Sequence, residues 1–469
     1  MGFVADVREW ANSIFGGCDL GDARRVDRLV DYAARQAVEP AASTSAACKG
    51  DSAAHEGSYK LLRNPNVRPA DIDDGAFDAV AEHAENYELV LAIQDSTGLS
   101  FKHPTAKALG REGSPSGFVV HSTLLVDAHG PSVIGIVDQD RWIREPKSDK
   151  KERDSRTYGE KESFKWEAAN RRMRERLRDI SRVITVCDRE ADIYDFLRYM
   201  KDSEQRFVQR SSADRTLETN NGRLWDTLEK SPAIGGQVVL IRQRGGQLGG
   251  NGQSARLARP AREAYVTIRA ARVSICPPVD RKDEPAVSVN AVLVREENAP
   301  AGETPVEWML LTTEPVASPS DVERAISYYA KRWLIEEFHK AWKTGCRIEE
   351  RPMQNPDNLE RIAAITAHIA TRVLQLRNLT AVSPHASCEG ALQGEEWRCL
   401  WATTMQRKFP SKTPTLHWAL NAIARLAGWQ DTKRTGQIGW LTLWHGWEIL
   451  QDRMVAWRAA MASVGGACR

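Results

Sequence analysis

Five side chains that are able to bind metal or phosphate recur along residues 328 to 345 (YYAKRWLIEEFHKAWKTG). Read as one helix at about 100° per residue, the segment places them within a stripe roughly 80° wide: Tyr329, Arg332, Glu336, Lys340 and Lys343. Apolar side chains fall on the opposite face, which the helix is able to bury. A carboxylate flanked by cations on such a helix is suited to metal binding, and the cations are suited to phosphate binding. A charged stripe alone is more often a solvated face with Glu–Lys pairs, and this alternative stays open.

Two further carboxylates follow apolar segments that read as buried strands. Asp95 ends the strand in YELVLAIQD, and Asp188 follows VITVC. Two strand-borne aspartates and the helix-borne Glu336 are able to share a pair of divalent ions, because Mg²⁺ prefers carboxylate and phosphate oxygens. Two divalent ions held in this way support phosphodiester chemistry. Taken singly, Asp95 reads better as a turn residue and Asp188 as the cap of the following helix.

The composition indicates a multidomain globular protein. The chain has 469 residues, enough to form about two or three domains. Lys plus Arg number 65 and Asp plus Glu number 63, so a polyanionic partner must bind local basic patches. The eight cysteines lack metal-ligand spacing, and neither a signal-peptide pattern nor a bilayer-length apolar run is present. We therefore expect a cytoplasmic protein with no membrane association.

Hydrophobic periodicity predicts helices first and strands second. Residues 1 to 70 read as a helical unit with a basic face, including an amphipathic helix entered through Asp22. Residues 87 to 142 read as three strands, and residues 145 to 162 as a densely charged loop. A basic helix around residues 171 to 179 leads into VITVC.

The second half of the chain has the opposite order, with strands before helices. Residues 205 to 315 read as a β-rich insertion punctuated by Gly and Pro. Helices return at residue 328, and residues 383 to 469 are helical with several tryptophans at helical spacing. The fold class predicted from this order is α/β.

Several motifs carry a resemblance to a known family. The spacing Y-x2-R-x3-E-x6-K resembles the signature of the DDE transposases of the insertion-sequence-four family. The same family is matched, in the same order along the chain, by EGSYKLLRNPNV, CDREADI, RPAREA, GETPVEW, IEEFHKAWKTG and KRTG. The resemblance implies a helical N-terminal domain that binds DNA ends (1–70), a ribonuclease H-like catalytic domain (71–382) interrupted by the β insertion, and a helical C-terminal dimerisation domain (383–469).

The family implies roles for the residues that match its motifs. Asp95, Asp188 and Glu336 become the catalytic, metal-binding triad, with two Mg²⁺ ions per active site and Mn²⁺ as a substitute. The residues that would hold the phosphate backbone beside the scissile bond are Tyr329, Arg332, Lys340 and Lys343. A guanidinium fork and flexible ammonium groups suit that role.

An aromatic side chain and further basic residues complete the implied DNA contacts. Trp308 matches the residue that stacks a base flipped out of the duplex, with Trp333 assisting; on spacing alone Trp308 would be a core residue. Further contacts are implied at Arg210 and at the N-terminal positions Arg24, Arg25, Arg28, Lys60 and Arg63. The implied partners are double-stranded DNA, as transposon ends and as target, and a second copy of the chain in a homodimer.

These features together predict a cut-and-paste DNA transposase. The family implies that water attacks at the transposon end and that the freed 3′-hydroxyl attacks the opposite strand to form a hairpin. A second water then opens the hairpin, and the 3′-hydroxyl joins target DNA. One alternative is a catalytically idle, transposase-derived DNA-binding regulator, which the intact triad argues against. The other is a metal-dependent DNA nuclease without strand transfer, which would not need Trp308 or a dimerising domain.

Overall fold

A computed structural model describes residues 4, 6–101, 117–144, 155–219, 222–241, 262–353, 355–432 and 438–466. Some sequence predictions fall outside these residues, namely those for residues 145–154 of the charged loop, the arginine-rich residues 242–261, and the KRTG stretch at 433–436. No helix within the described ranges is long and apolar enough to cross a membrane.

The chain forms two compact units. The first comprises Met1–Ser155, Ala168–Arg182 and Trp333–Arg469, and the second comprises Arg156–Glu167 and Val183–Arg332. The chain passes from the second unit back to the first between Arg332 and Trp333, inside the segment with which the sequence analysis began.

Helices open the first unit, as the periodicity predicts. They are α1 (Val7–Phe15), α2 (Ala23–Val38), α3 (Thr44–Ala47), α4 (Ser52–Leu62) and α5 (Pro69–Ala84). The carboxylate of Asp22 accepts a hydrogen bond from the backbone N–H of Arg24 at 2.9 Å and so caps α2. The predicted helix entered through Asp22 is therefore confirmed.

Three antiparallel strands follow in the first unit: β1 (Val90–Ser100), β2 (Gly117–Asp127) and β3 (Val133–Trp142). Strand β2 lies between the other two, and its register on β1 pairs Val90 with Asp127 and Ser100 with Gly117. All residues of β2 except the last are buried, so neither face of this strand meets solvent. The three predicted strands are present.

The remaining helices of the first unit lie in the C-terminal third of the chain. They are α10 (Trp333–Lys340), α11 (Pro356–Val382), α12 (Gly394–Met405), α13 (Leu416–Leu426) and α14 (Trp440–Gly466). Helix α11 packs against β3 and α5, and α13 packs against α14. Trp440, Trp444 and Trp447 are buried, as expected of tryptophans that recur at helical spacing.

The second unit contains six of the nine described strands. The strands are β4 (Val183–Cys187), β5 (Arg206–Arg210), β6 (Ala233–Ile241), β7 (Arg262–Ile275), β8 (Val287–Glu296) and β9 (Glu307–Thr312). Their order is β4-β5-β9-β8-β7-β6; β4 and β5 run parallel, and the other neighbours run antiparallel. The predicted β-rich character of residues 205 to 315 is confirmed.

Three helices of residues 165 to 230 and one that follows the sheet complete the described architecture. They are α6 (Lys165–Arg176), α7 (Tyr194–Asp202), α8 (Leu224–Lys230) and α9 (Pro319–Ala330). Apolar side chains from α7, α8 and the sheet form the core of the second unit, with Phe196, Phe207 and Leu311 almost fully buried in it. Helix α9 begins with a capping box in which Ser318 and Asp321 bond reciprocally.

Candidate functional site

Asp188 lies immediately after β4, as the sequence predicts. Its side chain caps a one-turn 3₁₀-helix (Arg189–Ala191) by accepting a hydrogen bond from the backbone N–H of Glu190 at 2.8 Å. The capping interpretation is thus correct in kind, although the capped element is this short turn and not α7. Asp188 is half-buried. A carboxylate at the end of a buried strand is well placed for chemistry at the sheet edge.

Tyr329 brings several of the predicted residues together in the second unit. Its ring is 6% exposed, near the end of α9. Burial raises the pKa of the Tyr329 hydroxyl, the positive charges of Arg332 and Arg210 oppose that rise, and the negative charge of Asp188 adds to it. Arg332, Arg210 and Asp188 therefore lie close enough for their charges to act on this hydroxyl.

Trp308 lies beside the same tyrosine. It is half-buried near the start of β9, and its ring meets that of Tyr329 edge to face, with centroids 5.3 Å apart. Arg210, at the end of β5, donates a hydrogen bond to the carbonyl oxygen of Glu307 at 3.0 Å and so holds the strand next to Trp308. The core role suggested by spacing alone is not the one observed, because the indole keeps part of its surface exposed. A carboxylate, two guanidinium groups and two aromatic rings therefore form one site in this unit.

The other two carboxylates lie on contacting elements of the first unit. Asp95 is in β1 and Glu336 is in α10, and α10 packs against β1. Glu336 is exposed, and Asp95 is half-buried. The backbone N–H of Ser96 donates to Oδ1 of Asp95 at 2.8 Å. Asp95 and Glu336 are thus both accessible from solvent on adjoining elements.

The prediction that Asp95 ends its strand is wrong. Strand β1 continues to Ser100, because β2 pairs with it along its whole length, and Asp95 lies opposite Ser122 in the middle of the pair. What changes at Asp95 is burial: Val90 to Gln94 are buried, and most of the later residues are only partly covered. The apolar segment in the sequence therefore marked the buried half of the strand and not its end.

The prediction of one helix over residues 328 to 345 is also wrong. The backbone N–H groups of Lys331 and Arg332 bond to the carbonyl oxygens three residues back, at 3.2 and 2.9 Å. These tighter turns end α9 at Ala330, and α10 starts anew at Trp333 before a π-helix over Ala341–Gly345. The continuous helix on which the predicted stripe was based is therefore absent, whereas the apolar residues Leu334, Phe338 and Trp342 are buried as predicted.

The two predicted lysines differ in their surroundings. Lys340 is exposed at the end of α10. Lys343 is half-buried, and its ammonium group donates to the carbonyl oxygen of Gly98 in β1 at 2.5 Å. Burial lowers the pKa of Lys343, which the charge of Glu349 partly opposes. Glu349 in turn accepts a hydrogen bond from the backbone N–H of Ser100 at 2.8 Å. The segment after α10 is therefore tied to β1 through two residues.

Trp333, which was predicted to assist Trp308, has a cation over its ring. The guanidinium of Arg377 lies 5.4 Å from the centroid of its indole ring, and Arg377 forms an ion pair with Glu337. The exposed edge of Trp333 is correspondingly limited, so any assistance it gives in base stacking stays a prediction.

The predicted basic residues of α2 differ in their exposure to solvent. Arg24 is 82% exposed in its side chain and pairs with Asp22 at 2.8 Å, an interaction that lowers the pKa of Asp22 to about 2. Arg28 is exposed, whereas Arg25 donates to the carbonyl oxygen of Leu20 at 2.8 Å and is partly buried. Arg25 therefore has a structural role that the sequence did not indicate.

Helix α4 presents a second basic surface. Lys60 pairs with Glu56 at 2.6 Å on the exposed side of the helix, and the guanidinium of Arg63 lies 4.6 Å from the ring centroid of Tyr59. His55 packs edge to face on the same tyrosine, with centroids 5.0 Å apart. Lys60 and Arg63 are therefore accessible, as expected of residues that contact a polyanion.

Sequence reasoning missed two buried polar residues near these elements. His121 in β2 and Arg351, which follows the π-helix, are 0% and 3% exposed. A signal for His121 was present, because HST interrupts an otherwise apolar strand. Arg351 lies in a polar stretch of sequence and gave no comparable signal.

Two family models match this chain. Residues 7–67 match the family described as Transposase DNA-binding, and residues 86–371 match the family described as Transposase DDE domain. The second match covers more than half of the chain and includes β1, β4 and α10 with Asp95, Asp188 and Glu336. The chain belongs to the DDE transposase family. The predicted α/β class with helical regions before and after the strands is confirmed.

The DDE transposase chain is also similar to a solved structure, the piggyBac transposase in a cryo-EM structure of its synaptic complex with hairpin DNA. The two chains are 11% identical, the alignment covers 81% of this chain and 76% of that chain, and the TM-score is 0.38.

Membership of the DDE transposase family implies divalent-metal dependence. The donor set suits such an ion, because Asp95, Asp188 and Glu336 are carboxylates that are exposed or half-buried. Within the described ranges, no three His, Cys, Asp or Glu side chains are grouped closely enough to hold a metal ion. The carboxylate chemistry of the donors fits the metal, and the assignment of the three residues as its ligands stays a prediction.

Proposed function

We propose that this DDE transposase is a cut-and-paste enzyme of the insertion-sequence-four group, similar to the Tn-five transposase. The observation that carries the proposal is the grouping of Asp188, Arg332 and Trp308 around Tyr329 in the second unit. A metal-ligand carboxylate, phosphate-binding cations and an aromatic platform are three parts that DNA hairpin chemistry needs and that simple DNA binding does not.

Asp95, Asp188 and Glu336 would hold two Mg²⁺ ions, for which Mn²⁺ would substitute. When bound, the ions supply charge stabilisation for the attacking and leaving oxygens of phosphodiester cleavage. The side chains around Tyr329 bind the phosphates of the DNA. Arg332 and Arg210 offer planar guanidinium groups to the non-bridging oxygens of a phosphate, and the buried hydroxyl of Tyr329 donates a further hydrogen bond. Lys340 supplies an exposed positive charge for the adjacent backbone.

Trp308 has the exposure and the support that a base-stacking residue requires. Its ring is fixed on one side by the edge-to-face contact with Tyr329 and leaves part of its surface uncovered. A base extruded near the DNA end would stack on that surface and so bend the strand towards a hairpin. Trp308 would act in the second of four steps, which are water attack, hairpin formation, hairpin opening and joining to target DNA.

The flanking regions complete the proposal. Residues 1–70, with the exposed Arg24, Arg28, Lys60 and Arg63, bind the transposon end, and Arg210 together with Arg25 lies near the backbone of the same DNA. Residues 71–382 perform catalysis, and residues 383–469 join two copies into a homodimer that holds two ends. The enzyme acts in the cytoplasm on double-stranded DNA.

The test uses a duplex carrying the inverted repeat that flanks the gene, with products separated on a denaturing gel. We expect Mg²⁺-dependent nicking, a hairpin, and joining to a target plasmid. Asp188→Asn should lose all three, and the matched control Asp226→Asn, an exposed aspartate of α8, should retain them. Nicking without a hairpin or joining would identify a nuclease, and end binding without nicking would identify an idle regulator.

A further inference from the structure

Strand β2 contains a polar segment in a position that water cannot reach. His121, Ser122 and Thr123 are each 0% exposed, and they lie at the centre of a strand whose other residues are mostly apolar. Buried polar side chains lower stability unless they are hydrogen-bonded. Such a segment therefore calls for a reason beyond packing.

His121 bonds to both neighbours of Asp95. Its Nδ1 lies 2.9 Å from the hydroxyl of Ser96, and its Nε2 lies 3.3 Å from Oε1 of Gln94. With the amide oxygen of Gln94 as the acceptor, Nε2 of His121 is the donor of this hydrogen bond. Gln94 and Ser96 are the residues directly before and after Asp95, and all four lie in the first compact unit.

The alternation of a strand explains how one imidazole acts on a residue that it does not touch. Successive side chains of β1 point to opposite faces, so Gln94 and Ser96 share a face with His121, which lies directly opposite Ser96. Asp95 points to the other face. Fixing the side chains on both sides of Asp95 fixes the pleat of the backbone and hence the direction in which its carboxylate leaves the sheet.

A second contact passes the constraint to the carboxylate itself. The backbone N–H of Ser96 donates to Oδ1 of Asp95 at 2.8 Å, while the hydroxyl of Ser96 is held by His121. Further along β1, Lys343 bonds to the carbonyl oxygen of Gly98 and Glu349 to the backbone N–H of Ser100. Hydrogen bonds thus restrain β1 from residue 94 to residue 100, and those made by His121 are on the residues next to Asp95.

We propose that His121 is a positioning residue that orients Asp95 for metal binding by holding Gln94 and Ser96 from the opposite face of the sheet. The inference rests on the proposed function, in which Asp95 is a metal ligand. A partner that orients a ligand changes metal affinity without contacting the metal, typically by about 10- to 100-fold when it is removed.

The test measures metal affinity directly. The dissociation constant of Mn²⁺ for the full-length protein bound to an end duplex is obtained from the electron paramagnetic resonance signal of free Mn²⁺, and Mg²⁺-dependent nicking is followed in parallel. His121→Ala should raise the dissociation constant by about 10- to 100-fold, and His121→Gln should recover part of the loss. Ser96→Ala should raise it by a smaller factor. Affinity for the duplex in the absence of metal should stay unchanged in all three.

Thr123→Val is the matched control. Thr123 is buried on the same strand, and its hydroxyl has no hydrogen-bond partner among the described residues, so its replacement by Val removes a buried polar group without breaking a described hydrogen bond to β1. Its metal affinity should equal that of the wild type. If His121→Ala does not fold, Ser96→Ala and His121→Gln decide the question.

Unchanged Mn²⁺ affinity in the folded His121 and Ser96 variants, with a large loss in Asp95→Asn, would overturn the inference and leave the proposed function standing. An Asp95→Asn variant that binds Mn²⁺ as the wild type does would instead reject Asp95 as a ligand, and with it both proposals. A loss in Thr123→Val as large as that in His121→Ala would show that His121 acts only through packing.

Discussion

Trp308 and Tyr329 lie edge to face, with ring centroids 5.3 Å apart and ring planes inclined at 65°. This geometry favours contact between the positive edge of one ring and the negative face of the other. It also fixes the indole on one side only, because Trp308 is half-buried whereas Tyr329 is 6% exposed. The pair therefore combines a rigid support with an accessible aromatic surface.

Replacing Trp308 should affect one step of the reaction more than the others. Stacking of a base on an aromatic ring contributes roughly 1 to 3 kcal/mol, so Trp308→Ala should slow hairpin formation by about 5- to 150-fold and leave the first nick largely intact. An abasic nucleotide at the extruded position should partly restore the rate, because an absent base has no stacking to lose. Nicked, hairpinned and cleaved ends are separated over time on a denaturing gel.

The control for Trp308 is Tyr265→Ala, which removes an aromatic ring that is 64% exposed on β7 of the same unit. All steps should then proceed at the wild-type rate. Equal slowing of every step by Trp308→Ala, without rescue by the abasic duplex, would assign Trp308 to packing.

Glu336→Gln should abolish nicking and leave end binding nearly unchanged. The substitution removes a negative charge from an exposed position on α10 and alters no contact with the DNA end that we propose. Gel shift and Mg²⁺-dependent nicking are measured on the same duplex. Glu323→Gln, an exposed glutamate on α9, is the control and should nick normally. Retained nicking by Glu336→Gln would remove Glu336 from the triad.

The exposed arginines of α2 should contribute to binding through phosphate contacts. Arg24→Ala and Arg28→Ala should each weaken end binding and reduce the slope of log affinity against log salt by about 0.9, the value for one lost contact with duplex DNA. Arg324→Ala removes one charge from an exposed side chain of α9 and should not change the slope. Slopes that stay at the wild-type value in both α2 variants would mark these arginines as a solvated face.

Local sequence predicted Asp188 well and Asp95 poorly, and the difference has a physical origin. VITVC is a short buried strand whose end coincides with the end of the apolar segment, so Asp188 follows it in both sequence and structure. The end of β1 depends on pairing with β2, a contact with residues such as Gly117 that lie far along the chain. No pattern within YELVLAIQD records that pairing.

The break between α9 and α10 was missed for a similar reason. No Gly or Pro interrupts residues 328 to 340, so the local sequence favours one helix. In the structure Tyr329 packs on Trp308, whereas Trp333 packs under Arg377. Anchoring the two ends of the segment to different elements overrides helix propensity, and only the tertiary contacts show it.

Arg351 should be more important for stability than its neighbour Arg347. Its guanidinium, 3% exposed, donates to the carbonyl oxygen of Cys346 at 2.8 Å and also to those of Pro40 and Ala42. Arg351→Met should lower the free energy of unfolding by about 2 to 3 kcal/mol, the contribution of hydrogen bonds from a charged donor.

Arg347→Met provides the comparison for Arg351. Arg347 is 53% exposed in its side chain and pairs with the exposed Glu350, so its loss should change the free energy of unfolding by no more than about 0.5 kcal/mol. Both variants are measured by urea denaturation. Equal effects would show that burial of Arg351 contributes nothing to stability.

His368 should make the protein less stable in acid. The imidazole is 1% exposed between Phe15 and Phe77, and burial, with the charge of Arg141 adding, lowers its pKa from 6.5 to about 3. The unfolded state therefore binds a proton below pH 6.5 that the folded state excludes down to about pH 3. The sign follows from this difference: stability is fully present above pH 6.5 and falls as the pH is lowered, by about 3 kcal/mol at pH 4.

His368→Leu isolates this contribution, because every other titrating group stays the same. We expect the difference between the free energies of unfolding at pH 7 and pH 4, measured by urea denaturation, to be about 3 kcal/mol smaller in the variant than in the wild type. Neither ring nitrogen of His368 has a hydrogen-bond partner among the described residues, so the substitution leaves no described partner unpaired and the variant should fold. The same pH difference in both proteins would mean that His368 is protonated in the folded state, and that water or a relaxed backbone reaches the imidazole.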